Sequence, residues 1–173
     1  MAVPQGRTAQ GFEKQWGVNY LAHFALTQFI FDLINKDSGR VVSLSSLAAH
    51  YGKINWMDPN FSDDYQSMAA YQQSKLAMLM FSLALHRRVH RVNYGLRSTA
   101  AHSSLSATNL FTRRACKVNG GLARPAQNGL LPIFTQSPDK GALPNLYTDN
   151  SHHTRSSDCY GLRRMLDSTG PLT

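Results

Sequence analysis

The sequence predicts an α/β fold, a parallel sheet of the doubly wound type. Three observations predict it. Apolar residues recur at helical spacing over residues 11–35. A β-branched run, "RVVSLSS", follows at Arg40–Ser46. A second, more apolar helical stretch over 67–90 then leads into another strand-like run, "LRSTAAHS", Leu96–Ser103. Helix, strand, helix, strand is the alternation that crossover helices impose on a parallel sheet. Ligands in such sheets bind outside the carboxyl ends of the strands. Ser45, Ser46, His102 and Ser103 fall at those ends.

Each element has its own signal. In the first helix Phe12, Trp16, Tyr20 and Phe24, with Leu26, Phe29, Ile30 and Leu33, keep the helical period, and "NKDSG", Asn35–Gly39, ends it with turn residues. The run at 40–46 suits a buried parallel strand. The polar stretch "HYGKINWMDPNFSDDYQ" reads as a loop. The second helix has Ser67 as its expected N-cap. Its middle, "LAMLMFSLAL", is apolar nearly all round and should be buried on more than one side. Beyond the second strand only "GALPNLY", Gly141–Tyr147, reads as a short helix, and residues 162–173 read as an irregular tail.

Composition bounds the function. At 173 residues, with 42% hydrophobic and 16% charged content, the chain is one globular domain with a real core. Its two cysteines, Cys116 and Cys159, lie far apart, which points to a reducing, cytoplasmic setting and to neither a disulfide framework nor a zinc site. The start "MAVPQGRTAQ" has no apolar signal region. The run "FALTQFIFDLI" is too short and too polar to span a bilayer. The net charge of +8 concentrates in "HRRVHRVNYGLR", His86–Arg97. Those cations complement the dipole at a helix carboxyl end. Without interleaved aromatics they do not read as a nucleic-acid site. His23 and His50 read as packing or surface residues, and His152–His153 is too short a tract for a metal.

The chemistry concentrates in "AAYQQSKLAM", residues 69–78. Tyr71 and Lys75 are one helical turn apart, with Cβ atoms about 5–6 Å from each other. A free phenol titrates near pH ~10. A neighbouring cation favours the phenolate and lowers that value, which makes the pair a proton donor and acceptor for hydride chemistry on an alcohol or carbonyl. Ser46, at the end of the adjacent strand, is placed to hold the substrate oxygen. Spacing alone is weak, since many helices carry such a pair by chance, and favours a surface Tyr–Lys pair.

"YQQSK" after "RVVSLSS", with "GVNYLAHFALT" before both, resembles the short-chain dehydrogenase/reductase family, and within it the branch of retinol-dehydrogenase-like and protochlorophyllide-reductase-like proteins. The resemblance runs from about Val3 to Gly161. It implies a catalytic part over 1–161, NAD or NADP as cofactor, and an apolar alcohol or carbonyl substrate. It makes Tyr71 the general acid/base and Lys75 the residue that tunes Tyr71 and holds the nicotinamide ribose. Ser46 binds the substrate oxygen, Asn19 holds a water for proton relay, and Thr108 contacts the cofactor. No residue is implied as a metal ligand. Ser46 and Tyr71 stand 25 residues apart, a long gap for the family that favours the narrower branch.

The resemblance also implies what is absent. None of the 12 glycines forms a G-x-x-x-G-x-G or G-x-G-x-x-G pattern, so the turn that cradles a dinucleotide pyrophosphate at a helix N-terminus is not in this sequence. The start, "MAVP", matches the residues just after the family's N-N-A-G strand end. The expected fold is therefore a partial Rossmann-type sheet lacking its N-terminal dinucleotide-binding half, and the DNA upstream is expected to encode that half, in this frame or another. Ser103–Ser104 replaces the family's Pro-Gly, which alters the loop before Thr108. The strand at 41–45 is expected to have a bare apolar edge, open to a second copy or a partner chain. A non-catalytic partner-binding chain is the second reading, and a basic nucleic-acid binder the third.

Overall fold

Glu13 starts the first helical stretch. In the computed structural model, which describes residues 1–102, Leu146 and Cys159–Tyr160, its carboxylate accepts from the backbone N–H groups of Gln15 (2.9 Å) and Trp16 (2.6 Å). These are donors that a helix start leaves without partners. The stretch then runs through α1 (Lys14–Trp16), a π-helical turn (Gly17–Leu21) and α2 (Ala22–Ile30), and closes in a 3₁₀ turn (Phe31–Leu33). The expected span of 11–35 thus loses Phe12, which precedes the helix. One face carries an aromatic ladder: Trp16–Tyr20 at 4.7 Å, Tyr20–Phe24 at 6.3 Å, and Phe24 edge-on to Phe81 at 5.7 Å. The face turned away from that ladder is bare, with Phe29 and Leu33 each 84% exposed and Val18 and Leu26 also exposed.

The sheet is parallel. β1 (Arg40–Leu44) pairs with β2 (Arg97–Ala101) in the register Arg40↔Arg97 to Leu44↔Ala101, and β2 pairs on its other side with β3 (Cys159–Tyr160). The order β1-β2-β3 leaves β1 at an edge. The bare edge expected for this strand is found among the described residues, and the burial that its composition suggested is limited for that reason. Of its five residues only Ser43 is buried and Leu44 is exposed, whereas β2, with a neighbour on each side, is buried over Ser98–Ala101. β3 had no sequence signal, because two residues carry no period. The second strand is shorter than the expected 96–103 span: it stops at Ala101, His102 follows it, and Ser103 lies outside the described residues.

The long helix α3 (Ser67–Arg91) crosses between β1 and β2 and packs on both. Its N-cap is Gln66, not Ser67, and makes no side-chain capping bond; Ser67 instead gives its carbonyl to Gln15 Nε2 at 2.8 Å. The helix ends at Asn93, which takes φ 56°, while Tyr94 N–H reaches back to Val89 O at 3.0 Å. Asparagine is one of the few residues that adopts this left-handed terminal position readily. Burial is one-sided rather than all-round: Ala77, Met78, Ser82, Leu85 and Val89 are buried and Met80 is exposed. Leu85, Val89 and Leu96 form the apolar core, flanked by Phe31, Ile34, Val41 and Phe81. The short helix expected at 141–147 lies outside the described residues except for Leu146, which is helical, and the tail at 162–173 lies outside them altogether. Among the described residues no helix is long and apolar enough to cross a membrane.

The loop between β1 and α3 is held by a fully buried amide. Gln73 Nε2 donates to Pro59 O at 2.9 Å, and its Oε1 accepts from Asn55 N–H at 2.8 Å. Gln73→Leu keeps the volume and strands two backbone groups. It is expected to cost about 1–3 kcal/mol, read as a lower midpoint in urea, with faster proteolysis between residues 53 and 66.

Candidate active site

The site forms where β1 ends against α3. Ser45 N–H extends the parallel ladder to Ala101 O at 2.9 Å. Its hydroxyl then crosses to α3 and donates to Lys75 O at 2.9 Å. Lys75 answers in the other direction, its Nζ donating to Leu44 O at 2.9 Å. Strand end and helix are therefore joined by two reciprocal bonds through one residue. Burial pushes the Lys75 ammonium below the usual lysine value, because removing water penalises the charged form. Tyr71, half-buried, stands one turn before Lys75. Its hydroxyl has no hydrogen-bond partner among the described residues.

Ser46 follows in extended conformation and caps the 3₁₀ turn Leu47–Tyr51, its Oγ accepting from Ala48 N–H at 3.3 Å. A hydroxyl that accepts in this way keeps its own proton to donate, as holding a substrate oxygen requires. The capped turn packs on α3. The approach is close at Gly52, where a Cβ would stand 2.7 Å from Gln72 O, so no larger residue fits there without moving the helix.

Asn19 lies in the π-helical turn, and its Nδ2 donates to Ser74 Oγ at 3.0 Å; Ser74 Oγ in turn donates to Tyr71 O at 2.8 Å. The amide is thus fixed one step from the Tyr71 backbone. Single π turns inside helices often mark functional sites. Ser74 is fully buried and was not singled out in the sequence, where a serine inside a helix carries no distinctive signal. The same holds for Ser45, legible as a strand end but not as the tether to Lys75.

A second polar cluster fixes the start of α3. Tyr65 Oη donates to Val3 O at 2.7 Å, with Glu13 Oε1 as an alternative acceptor at 3.3 Å, Gln15 Nε2 donates to Tyr65 Oη at 3.1 Å, and Glu13 N–H donates to Asn60 Oδ1 at 2.9 Å. It ties the first residues, α1 and the loop to the turn that presents Tyr71. Thr108, Ser103 and Ser104 lie outside the described residues. His23 and His50 are exposed, and no group of three metal-ligating side chains occurs among the described residues. The structure therefore brings Tyr71, Lys75, Ser46 and Asn19 to one end of the sheet.

Retinol dehydrogenase 13 of Homo sapiens is 36% identical over 152 residues, covering 85% of this chain and 44% of that protein. Polyprenol dehydrogenase of Homo sapiens is 32% identical over 158 residues, covering 85% and 44%. A crystal structure from Mycobacterium paratuberculosis superposes with a TM-score of 0.72 at 36% identity, over 94% of this chain and 51% of that one. The chain belongs to the short-chain dehydrogenase/reductase family. No family model matches it. The chain spans about half the length of the relatives it matches, 42–44% of the curated ones.

The depressed Lys75 value gives a sign. As pH rises, Lys75 loses its proton before an ordinary lysine does, and with it the positive charge beside Tyr71. A ¹³C-methyl-lysine NMR titration is expected to place its midpoint below the ordinary ~10.4. A group whose charged form is penalised by folding adds stability as pH climbs from its folded to its unfolded value. A midpoint at or above the ordinary value would contradict the burial described here.

Proposed function

We propose that the chain carries the Tyr–Lys half of an NAD(P)-dependent alcohol/carbonyl oxidoreductase, with residues 1–161 as its catalytic part. The observation that carries this reading is the reciprocal clasp at Lys75, which fixes a cation one turn from an unengaged phenol. The residues fit a nicotinamide ribose: Lys75 Nζ spends one donor on Leu44 O and keeps two. The Tyr71 hydroxyl is available beside it. NAD or NADP supplies or accepts the hydride when bound.

This chain's residues handle the proton and the orientation. Tyr71 gives a proton to a carbonyl oxygen or takes one from an alcohol. Lys75 stabilises the phenolate form that this requires. Ser46 donates its free O–H to the same substrate oxygen. Asn19, fixed by Ser74, presents its carbonyl to a relay water. The relatives are named for retinol and polyprenol, so an apolar primary alcohol or its aldehyde is the substrate class we assign, in a reducing, cytoplasmic setting. The glycine-rich turn that would bind the pyrophosphate is not among these 173 residues. We infer that the isolated chain is impaired.

A second reading, a non-catalytic chain that acts by binding a partner, is supported by the edge position of β1 and the bare face of α2. A second copy or another chain adding a strand there would cover both.

Two measurements separate the readings. Calorimetric titration of the 173-residue chain with NAD⁺ and NADP⁺ is expected to show weak binding or none, and micromolar affinity would refute the claim of impairment. In any preparation that oxidises retinol with NAD(P), Tyr71→Phe is expected to lower kcat/KM by about 10²–10⁴-fold, and Lys75→Ala to cripple it as well. Unchanged turnover in Tyr71→Phe would remove Tyr71 from the chemistry and leave partner binding as the reading.

A further inference from the structure

The loop that leaves β1 carries an uncovered apolar tip. Asn55 Oδ1 accepts from Asp58 N–H at 3.1 Å, so the chain turns over four residues whose middle pair is Trp56 and Met57. Such central positions favour Gly, Pro, Asn, Asp or Ser. Here they hold two large apolar side chains, 76% and 95% exposed, and Tyr51, at the end of the preceding 3₁₀ turn, is 78% exposed. The tip is pinned on both sides. The buried Gln73 amide accepts from Asn55 N–H at 2.8 Å before it and donates to Pro59 O at 2.9 Å after it. Single exposed apolar side chains are ordinary on a protein surface. Two in a row at the tip of an anchored turn, with an exposed tyrosine beside them in the same loop, are not.

The chemistry of the tip selects a lipid surface as its partner. A stable protein interface draws about 20–30 residues from each side, and a turn of this size offers no such area. A fluid headgroup layer accepts a narrow apolar point without a matching cavity. Tryptophan and tyrosine suit that boundary, since each has an apolar body and one polar edge. Neither the Trp56 indole N–H nor the Tyr51 hydroxyl has a partner among the described residues. The charges agree. Residues 47–57 contain the cation Lys53, which is exposed, and no carboxylate. The next acid, Asp58, spends its carboxylate on Ser62 N–H, and the exposed acids Asp63 and Asp64 stand farther along the loop. A lysine beside an apolar tip complements anionic headgroups.

We propose that Trp56 and Met57, with Tyr51 and Lys53, dock the chain on the surface of a phospholipid bilayer without crossing it. The position of the tip gives the docking a use. Ser46 caps the 3₁₀ turn that ends at Tyr51, and Gln73, which pins the tip, lies two residues after Tyr71. The tip therefore belongs to the same end of the sheet as Ser46 and Tyr71. An apolar alcohol leaving the bilayer would enter at the end that carries both. That use rests on the oxidoreductase reading above. The docking itself does not, and it is measured without turnover, so the two fail separately. The bare residues of α2, Phe29 and Leu33 among them, lie on a different element, and the tip keeps its role whatever covers them.

The test is flotation of the full 173-residue chain with vesicles of an equal mixture of phosphatidylcholine and phosphatidylglycerol. The chain is expected to float with them. The double variant Trp56→Ser/Met57→Ser should lower the partition coefficient by about tenfold or more, as loss of two buried apolar side chains implies. Lys53→Gln should lower it by about fivefold, the worth of one cation at an anionic surface. Brominated lipid should quench part of the parent's tryptophan emission. It should quench none in Trp56→Phe, which keeps an aromatic ring at the tip and leaves only Trp16, half-buried in the aromatic ladder, to fluoresce. Lys53, Trp56 and Met57 are exposed, so melting temperatures should match the parent's, which separates lost docking from lost folding. The proposal is overturned if the parent does not float, if the folded double variant floats like it, or if brominated lipid quenches Trp56→Phe as it does the parent. A dimer in light scattering that Trp56→Ser/Met57→Ser dissociates would also overturn it, by placing a second copy on the tip.

Discussion

Everything at the candidate site depends on how Lys75 is held. Its backbone carbonyl receives Ser45 Oγ and its ammonium reaches Leu44 O, each at 2.9 Å. Two bonds in opposite directions between the same pair of elements fix both the rotation and the height of α3 against β1. Sliding the helix by one residue would turn it through about 100° and break both. Tyr71, one turn away on a regular helix, inherits that precision. Partial burial also penalises the ammonium, a desolvation cost that its bond to a strand-end carbonyl offsets. A surface Tyr–Lys pair would have neither constraint.

The clasp works because the rest of the contact is polar and close. The largest fully buried side chains among the described residues are Gln73, Glu13, Val89, Ser74, Ser82 and Ser98, and only one of them is apolar. Each such polar group contributes about 1 kcal/mol when satisfied, against ~1.5–3 kcal/mol for a buried Val, Leu or Phe. Meanwhile Phe29 and Leu33 lie almost fully in water. Gln15 Oε1 and Ser43 Oγ are buried with no partner among the described residues. The hydrogen bonds therefore specify where things sit, while much of the apolar surface that would stabilise the arrangement remains uncovered. Among the described residues, the three-stranded sheet with a bare edge and the bare helix face are closely positioned but incompletely covered.

The elements that the sequence made legible were those with long periods. Twenty-five residues of α3, the β-branched run at β1 and the turn "NKDSG" could each be read locally, and the motifs in order singled out Tyr71, Lys75, Ser46 and Asn19 as candidates. The π turn around Asn19 was not legible, since a one-residue widening of a helix leaves the apolar period almost untouched. Ser67 looked like a cap because serine is among the preferred capping residues. Here Gln15 takes the Ser67 carbonyl from 52 residues away, a contact that local sequence does not contain. The same distance hides Ser74, Gln73 and the Glu13–Tyr65 pair: their roles are set by what crosses to them. The half-buried character of β1 follows from its edge position, which the resemblance implied; composition alone reports what a strand can bury, not how many neighbours it has.

The small residues on α3 complete the reasoning. Ser82 Oγ lies 3.3 Å from Ser98 Oγ, and Ser98 Oγ lies within 2.9 Å of Ser82 O, so helix and strand β2 meet through two serines with no large side chain between them. Ala70, Ser74 and Ala77, on the same buried face, extend that close approach toward the site. A methylene or two inserted anywhere along this line would lift α3 off the sheet, since packed interiors absorb added volume by moving backbone. The bonds at Lys75 cannot stretch by that much and survive, because hydrogen bonds weaken steeply outside their narrow distance range. The geometry of Tyr71 is thus set as much by the absence of bulk at Ser82, about 16 Å farther along the helix, as by the groups beside it. This is why a site of four ordinary polar residues requires the whole length of α3 to exist.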